Sequence, residues 1–284
     1  MSLTHRLGSH NIFSRPNENT ITPKRVVFLS VEGNKTEVSY FRFIDRHREK
    51  IGIKSIIHIE VLQRKDTQSD PDSVLQLLEE YISFRESGNF TEELQQLELQ
   101  SYDFKFIQKY LQNDPSISPK DRNKFDAILK QEQIDLLYLN FLNTYHGDDD
   151  IFGIVIDRDC GSHSEKQIEK VRNTCNENNY HFFITNPCFE FWRLLHVSDV
   201  KMEFSNQLET IKANPLDEHG HSYVSNLLYC KTNERKAIQE KNFLQYYLPN
   251  IDLAIERSKQ FAKSDCLIHQ LGSNLGDLFV LLRE

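Results

Sequence analysis

Two aspartates one residue apart, Asp157 and Asp159, end the short apolar run at residues 152–156, and a glycine turn at Gly161 follows. In a strand, side chains at i and i+2 point to one face, so two such carboxylates can converge on one spot. Two hard oxygen ligands suit Mg²⁺ or Mn²⁺. A second apolar run, residues 25–31, ends in Glu32-Gly33-Asn34-Lys35-Thr36-Glu37. That puts Glu32 at the same kind of position as Asp157, just beyond a strand's carboxyl end, where ligands of open α/β sheets bind. If the two strands are neighbours, Glu32, Asp157 and Asp159 form a cluster whose like charges call for a cation. The chemistry is metal-assisted phosphoryl transfer. The aspartates hold metal, and the glutamate joins them or exchanges a proton with the nucleophile or leaving oxygen.

Four further residues are candidates for the same site. Glu37 lies one turn into the helix after the glycine turn, either as another carboxylate of the site or as a residue favoured by the helix dipole. Glu190 is in the first turn of a later helix, where capping is the competing role. His163 follows the Gly161 turn, and Lys231 is a candidate phosphate contact. His196, six residues after Glu190, has the wrong spacing for a paired metal ligand and reads as structural.

The elements that must position these residues alternate between strand and helix, which predicts an α/β fold with a mostly parallel sheet flanked by helices. Residues 1–22 read as a flexible lead-in and 23–284 as the folded domain. Residues 53–62 are a predicted strand and 72–85 a helix. From about 86 to 150 a Gln- and Glu-rich stretch broken by Pro115 and Pro119 reads as a helical insertion, with a helix at 136–145 and a solvated loop at 148–150. After the aspartate strand come a helix at 164–176 and a strand at 181–185. A helix follows with Asn186 as N-cap and Pro187 at its first position. Thr36 is expected to cap the first helix. Residues 198–232 read as loop-rich, and the part from about 233 to 284 as helical, at 234–247, 251–263 and 275–282.

Composition narrows the partners. The 284 residues carry a formal net charge of −8, the reverse of what a broad nucleic-acid-binding surface needs. Activity on nucleic acid would need a local basic patch or a partner subunit. No apolar run approaches the roughly 20 residues that span a membrane. The polar start lacks a signal-peptide core. Five cysteines, an odd number with no C-x-x-C spacing, fit reduced thiols in a cytoplasm.

A D-x-D pair alone also resembles the motif of haloacid-dehalogenase-type phosphatases, with Asp157 as nucleophile, and that of many glycosyltransferases. Neither accounts for the Glu32 turn. Val31-Glu32-Gly33 with Asp157-x-Asp159 resembles the Toprim fold of topoisomerases, primases and OLD-type nucleases. The fuller text adds Lys35-Thr36-Glu37 with Tyr40-Phe41, the run from Asn186 to His196, Tyr229-Cys230-Lys231 and Gly272-Ser273-Asn274. It resembles the RloB-like (AbiL-type) family of prokaryotic phage-defence proteins over about residues 25 to 284. The resemblance implies a Toprim-like nuclease dependent on Mg²⁺ or Mn²⁺, with Glu32 catalytic and Asp157 and Asp159 as metal ligands. It implies an ABC/AAA-type ATPase partner, a role in abortive infection, and a helical insertion that serves as a partner surface. No tyrosine is marked as a nucleophile, so water takes that part. The substrate, DNA or RNA, and self-association stay open. The alternative from another class is a non-catalytic partner-binding subunit.

Overall fold

A computed structural model describes residues 25–33, 35–54, 57–62, 70–87, 102–131, 136, 149–159, 161–235 and 237–284. The lead-in at 1–22, the predicted helix at 136–145 apart from Leu136, and Asp148 lie outside them.

The chain divides into two compact units. One comprises residues 1–20, 63–67 and 79–147. Its described part includes residues 79–87 of a helix that begins in the other unit, and helices α3 (Phe104–Leu111) and α4 (Pro119–Gln131). Asp103 caps α3 by accepting the Phe106 N–H at 2.8 Å, and Phe125 of α4 packs against Tyr102, Phe106 and Tyr110.

The other unit holds a five-stranded sheet in the order β2-β1-β3-β4-β5. Its strands are β1 (Arg25–Val31), β2 (Ile57–Leu62), β3 (Ile151–Asp157), β4 (His181–Asn186) and β5 (Gly272–Ser273). The first four run parallel and β5 is antiparallel. Val26 to Val31 are all buried, as a strand covered on both faces requires. Val27, Leu29 and Val31 share one face and join a core with helix α1 (Thr36–Arg46) and helix α6 (Phe189–Val197). On the opposite face Phe28 stacks on Phe152, and Ser30 Oγ donates to the Val74 carbonyl at 2.7 Å on α2 (Pro71–Ser87). Helix α5 (Glu165–Glu177), capped by Ser164, buries Ile168, Val171 and Cys175. Each such aliphatic burial contributes about 1.5–3 kcal/mol.

From β1 the chain goes to β2 on one side and later crosses to β3 on the other. The carboxyl ends of β1 and β3 therefore flank the point where strand order turns back, the place where open α/β sheets bind ligands.

Several predicted elements differ in detail. Lys35, not Thr36, precedes α1, and no side chain caps that end. The strand predicted at 53–62 begins at Ile57. Asn186 is the last residue of β4 rather than a cap; its amide donates to the Leu267 carbonyl at 2.8 Å, and Cys188 takes the N-cap position of α6. The stretch read as loop-rich contains α7 (Val200–Glu203), α8 (Leu208–Ala213) and α9 (Tyr223–Thr232). The helix predicted at 234–247 starts only at Glu240 and continues through a wider turn over Phe243–Tyr247. The last two helices are α11 (Ile251–Ser258) and α12 (Leu275–Arg283), after the short α10 (Glu240–Asn242). No helix among the described residues is long and apolar enough to cross a membrane.

Candidate active site

Glu32 is the first residue past β1, and its N–H donates to the Val155 carbonyl at 3.1 Å, carrying the β1–β3 pairing one step further. This fixes the glutamate beside the end of β3. Its Oε2 accepts the Asp157 N–H at 3.0 Å, and its Oε1 lies 3.1 Å from His163 Nε2. Two residues 125 apart in sequence are thus joined through backbone and side chain.

Glu37 turns back from the first turn of α1 toward the glycine turn. A Cβ at Gly33 would overlap its carboxyl group, so only glycine allows this approach. The carboxylate accepts the Gly33 N–H, yet burial is the strongest influence on it, followed by the charges of Glu190 and Glu32. Together they push the Glu37 pKa up to about 7. Asp157 retains a little accessible surface, but desolvation still raises its pKa well above the usual carboxylate range, reinforced by Glu32, Glu37 and Glu190. The Phe189 N–H at the start of α6 donates to the Asp157 carboxylate and opposes that rise.

Glu190 therefore faces the cluster from α6, as one of its two sequence readings proposed. It also accepts a hydrogen bond from the Cys188 thiol; burial, Glu190 and Asp157 together raise that thiol's pKa. The sequence signal for Cys188 is its place two residues before Glu190 at a helix start. Glu32, Glu37, Asp157 and Glu190 form the acidic centre, and His163 is its basic neighbour.

Two carboxylates with raised pKa values make the metal-free protein sensitive to pH. A carboxyl group whose folded pKa lies above its unfolded value binds its proton more tightly when folded, so stability falls as pH rises between the two. For Glu37 that window runs from 4.5 to about 7, and the loss across it is about 3 kcal/mol. The pKa of His163 is raised chiefly by its hydrogen bond to Glu32, and this acts with the same sign, its contribution fading as pH rises above about 6.5. In the presence of a chelator, melting temperature should fall from pH 5 to pH 8, and Glu37→Gln should remove a large part of that slope. An unchanged slope in the variant would mean that Glu37 does not carry the penalty.

A family model described as RloB-like protein matches residues 27–278. The chain belongs to the RloB-like family. Comparison with curated proteins and with solved structures gives no match. Part of the text that carries the resemblance falls on two helices around the acidic centre. Tyr40 is on α1, one turn after Glu37; Trp192, Arg193 and His196 are on α6 beside Glu190. His196 Nδ1 lies 3.0 Å from the Tyr247 carbonyl, which can only accept, so Nδ1 carries the proton. Nε2 is then the acceptor for the Tyr40 hydroxyl at 3.1 Å, and that hydroxyl accepts the Trp192 indole N–H at 3.0 Å. Burial drives the His196 pKa down to about 3, so the imidazole is neutral and structural.

Two other predicted residues lie outside the centre. β3 ends at Asp157, so the same-face spacing of a strand does not extend to Asp159. Asp159 is exposed, with φ of 22°, and its Oδ1 accepts the Gly161 N–H at 3.3 Å. Lys231 on α9 pairs with Glu203 at 2.6 Å. Neither makes a direct contact with the four central carboxylates in the hydrogen bonds and ion pairs of the described residues.

Proposed function

We propose that this RloB-like chain is a Toprim-type nuclease that hydrolyses phosphodiester bonds in DNA or RNA with Mg²⁺ or Mn²⁺. The observation that carries the reading is the placement of Glu32 and Asp157 at the carboxyl ends of neighbouring parallel strands, where the strand order turns back. Glu37 and Glu190 crowd the same spot. The donor chemistry fits a hard divalent cation: carboxylate oxygens, with protons bound tightly where the like charges crowd. Among the described residues no three His, Cys, Asp or Glu side chains stand as a ready cation cage. The fit therefore lies in the donor chemistry rather than in a preformed geometry.

Asp157 and Glu32 would hold the ion, with Glu37 and Glu190 as further carboxylates for it. Once bound, it supplies Lewis-acid polarisation of the phosphate and a more acidic water. Glu32 exchanges a proton with the attacking water or the leaving oxygen, and the Asp157 N–H keeps its carboxylate in place. By resemblance, the chain works with an ABC/AAA-type ATPase in a prokaryotic anti-phage response of the abortive-infection type. The net charge of −8 suits a subunit with weak hold on its own substrate. Incubation with DNA and with RNA in Mn²⁺ at low salt, with and without the ATPase, tests this; strong cleavage by the isolated chain would remove the need for the partner.

The missing cage favours one other reading, a partner-binding subunit whose acidic centre is structural. Mn²⁺-dependent stability separates the two. If the site takes the ion, Mn²⁺ at about 100 times Kd should raise stability by about 2.7 kcal/mol, of the order of 5–10 °C in melting temperature. Asp157→Ala should lose that gain. Equal responses in the two proteins would sink the metal site.

A further inference from the structure

We infer that His163 is a positioning residue for Glu32: its imidazole Nε2, 3.1 Å from Glu32 Oε1, holds the carboxylate in the acidic centre. The inference rests on the reading of Glu32 as a working carboxylate of a metal site, and it explains what the turn after β3 is for.

The His163 side chain is 5% exposed and that of Glu32 13%, so the contact is shielded from water. The turn delivering it is braced from several sides. The Asp159 N–H donates to the Pro187 carbonyl at 3.0 Å, and the Asp159 carbonyl accepts the N–H groups of Ser162 at 2.9 Å and His163 at 3.0 Å. Asp159 Oδ1 accepts the Gly161 N–H. Buried Arg158 is bonded to groups outside the acidic centre; its Nη1 donates to the His163 carbonyl at 2.9 Å, its Nε to the Ile268 carbonyl at 2.7 Å and its Nη2 to Glu165 Oε1 at 3.4 Å. Both charged residues that flank the end of β3 thus fix the backbone that presents the imidazole. In this arrangement Asp159 shapes the turn.

None of these backbone bonds needs an imidazole at position 163. The ring's hydrogen-bond partner among the described residues is Glu32, while its Nδ1 is buried with none. A buried orphan nitrogen is destabilising, and an apolar side chain would fill the space without that cost. Such a group calls for an explanation other than packing. Partners that orient a ligating carboxylate supply one, since removing them weakens metal affinity or activity about 10- to 100-fold.

The test compares wild type, His163→Leu and His163→Gln in the full-length protein. Glutamine places an amide nitrogen at about the reach of imidazole Nε2, whereas leucine fills space only. Two quantities are read: Mn²⁺ affinity by calorimetry, and cleavage kinetics with the ATPase present. His163→Leu should weaken Mn²⁺ binding and lower kcat about 10- to 100-fold, with substrate KM little changed, and His163→Gln should recover most of both. If Mn²⁺ affinity is the same in all three proteins, the inference falls, even if His163→Leu melts earlier. If affinity follows the expected pattern but wild type cleaves no nucleic acid, the inference stands and the nuclease reading falls.

Discussion

Glu32→Gln should reduce Mn²⁺-dependent cleavage by about 10² to 10⁴-fold, the range a lost proton-transfer group accounts for. The substitution suits the question because it changes charge and proton affinity but little else. Glu32 Oε2 accepts a backbone N–H from Asp157, which an amide oxygen accepts equally well. On the other side His163 Nε2–H donates to Oε1 at 3.1 Å in the wild type, and a glutamine NH₂, itself a donor, can face that nitrogen once the imidazole takes its Nδ1–H tautomer. The β1–β3 pairing, including the Glu32 N–H to Val155 bond, does not involve the side chain. Melting temperature should therefore stay near wild type while single-turnover cleavage collapses. A phosphatase that used Asp157 as nucleophile would keep most of its activity in this variant. Cleavage within a few-fold of wild type would remove Glu32 from the chemistry.

What made Glu32 and Asp157 legible is the simplicity of their elements. Residues 25–31 and 151–157 are apolar and β-branched because a central parallel strand is covered on both faces, and each run stops where the polar residues begin. Strand–helix alternation predicts parallel strands, and the sheet order makes these two neighbours, so the two carboxyl ends meet. Where the structure departs from the predicted elements, tertiary bonds override local propensity. Asn186-Pro187 has the local chemistry of a helix start, but β4 continues through Asn186, which pairs with Gly272 in β5. That fifth strand is only two residues, Gly-Ser, too short and too poor in strand formers to be read. It is held by register and by the bond between Thr185 Oγ1 and Ser273 Oγ at 2.8 Å. Asp159 lies off the face that its spacing predicts for a related reason. The i, i+2 rule applies inside a strand, and a positive φ immediately past the strand's end cancels it. His163 could be placed near the site but not on Glu32, since that contact depends on how the turn closes.

The helix that brings Glu190 to the centre depends on a charge pair with almost no water around it, and breaking that pair should be the most damaging single change to stability. Arg193 and Glu234 lie 3.2 Å apart with side chains 0% and 3% exposed. Glu234 Oε2 also accepts the Tyr247 hydroxyl at 2.8 Å, and Oε1 accepts the Gln239 N–H at 3.1 Å. Arg193 donates to the Tyr247 oxygen at 3.0 Å and to the Arg235 carbonyl at 2.9 Å. Burial is the main reason the Tyr247 pKa is pushed up to about 12, so the phenol stays protonated and donates. Glu234→Ala leaves a guanidinium buried without its counter-charge, and the expected loss is about 3–5 kcal/mol. The pair itself contributes far less than this, because both charges had to leave water to form it. Replacing Arg193 with Met and Glu234 with Leu together should therefore recover much of the stability lost in Glu234→Ala. Denaturant unfolding of the three proteins measures both effects, and a single variant that loses under about 1 kcal/mol would mean that the pair is hydrated like a surface one. Arg193 lies one turn after Glu190 on α6, so a loosened pair should also weaken Mn²⁺ binding in the part of the population that stays folded. The Met/Leu double variant, with the helix packed but the charges gone, should bind Mn²⁺ as wild type does if Arg193 serves only to seat α6.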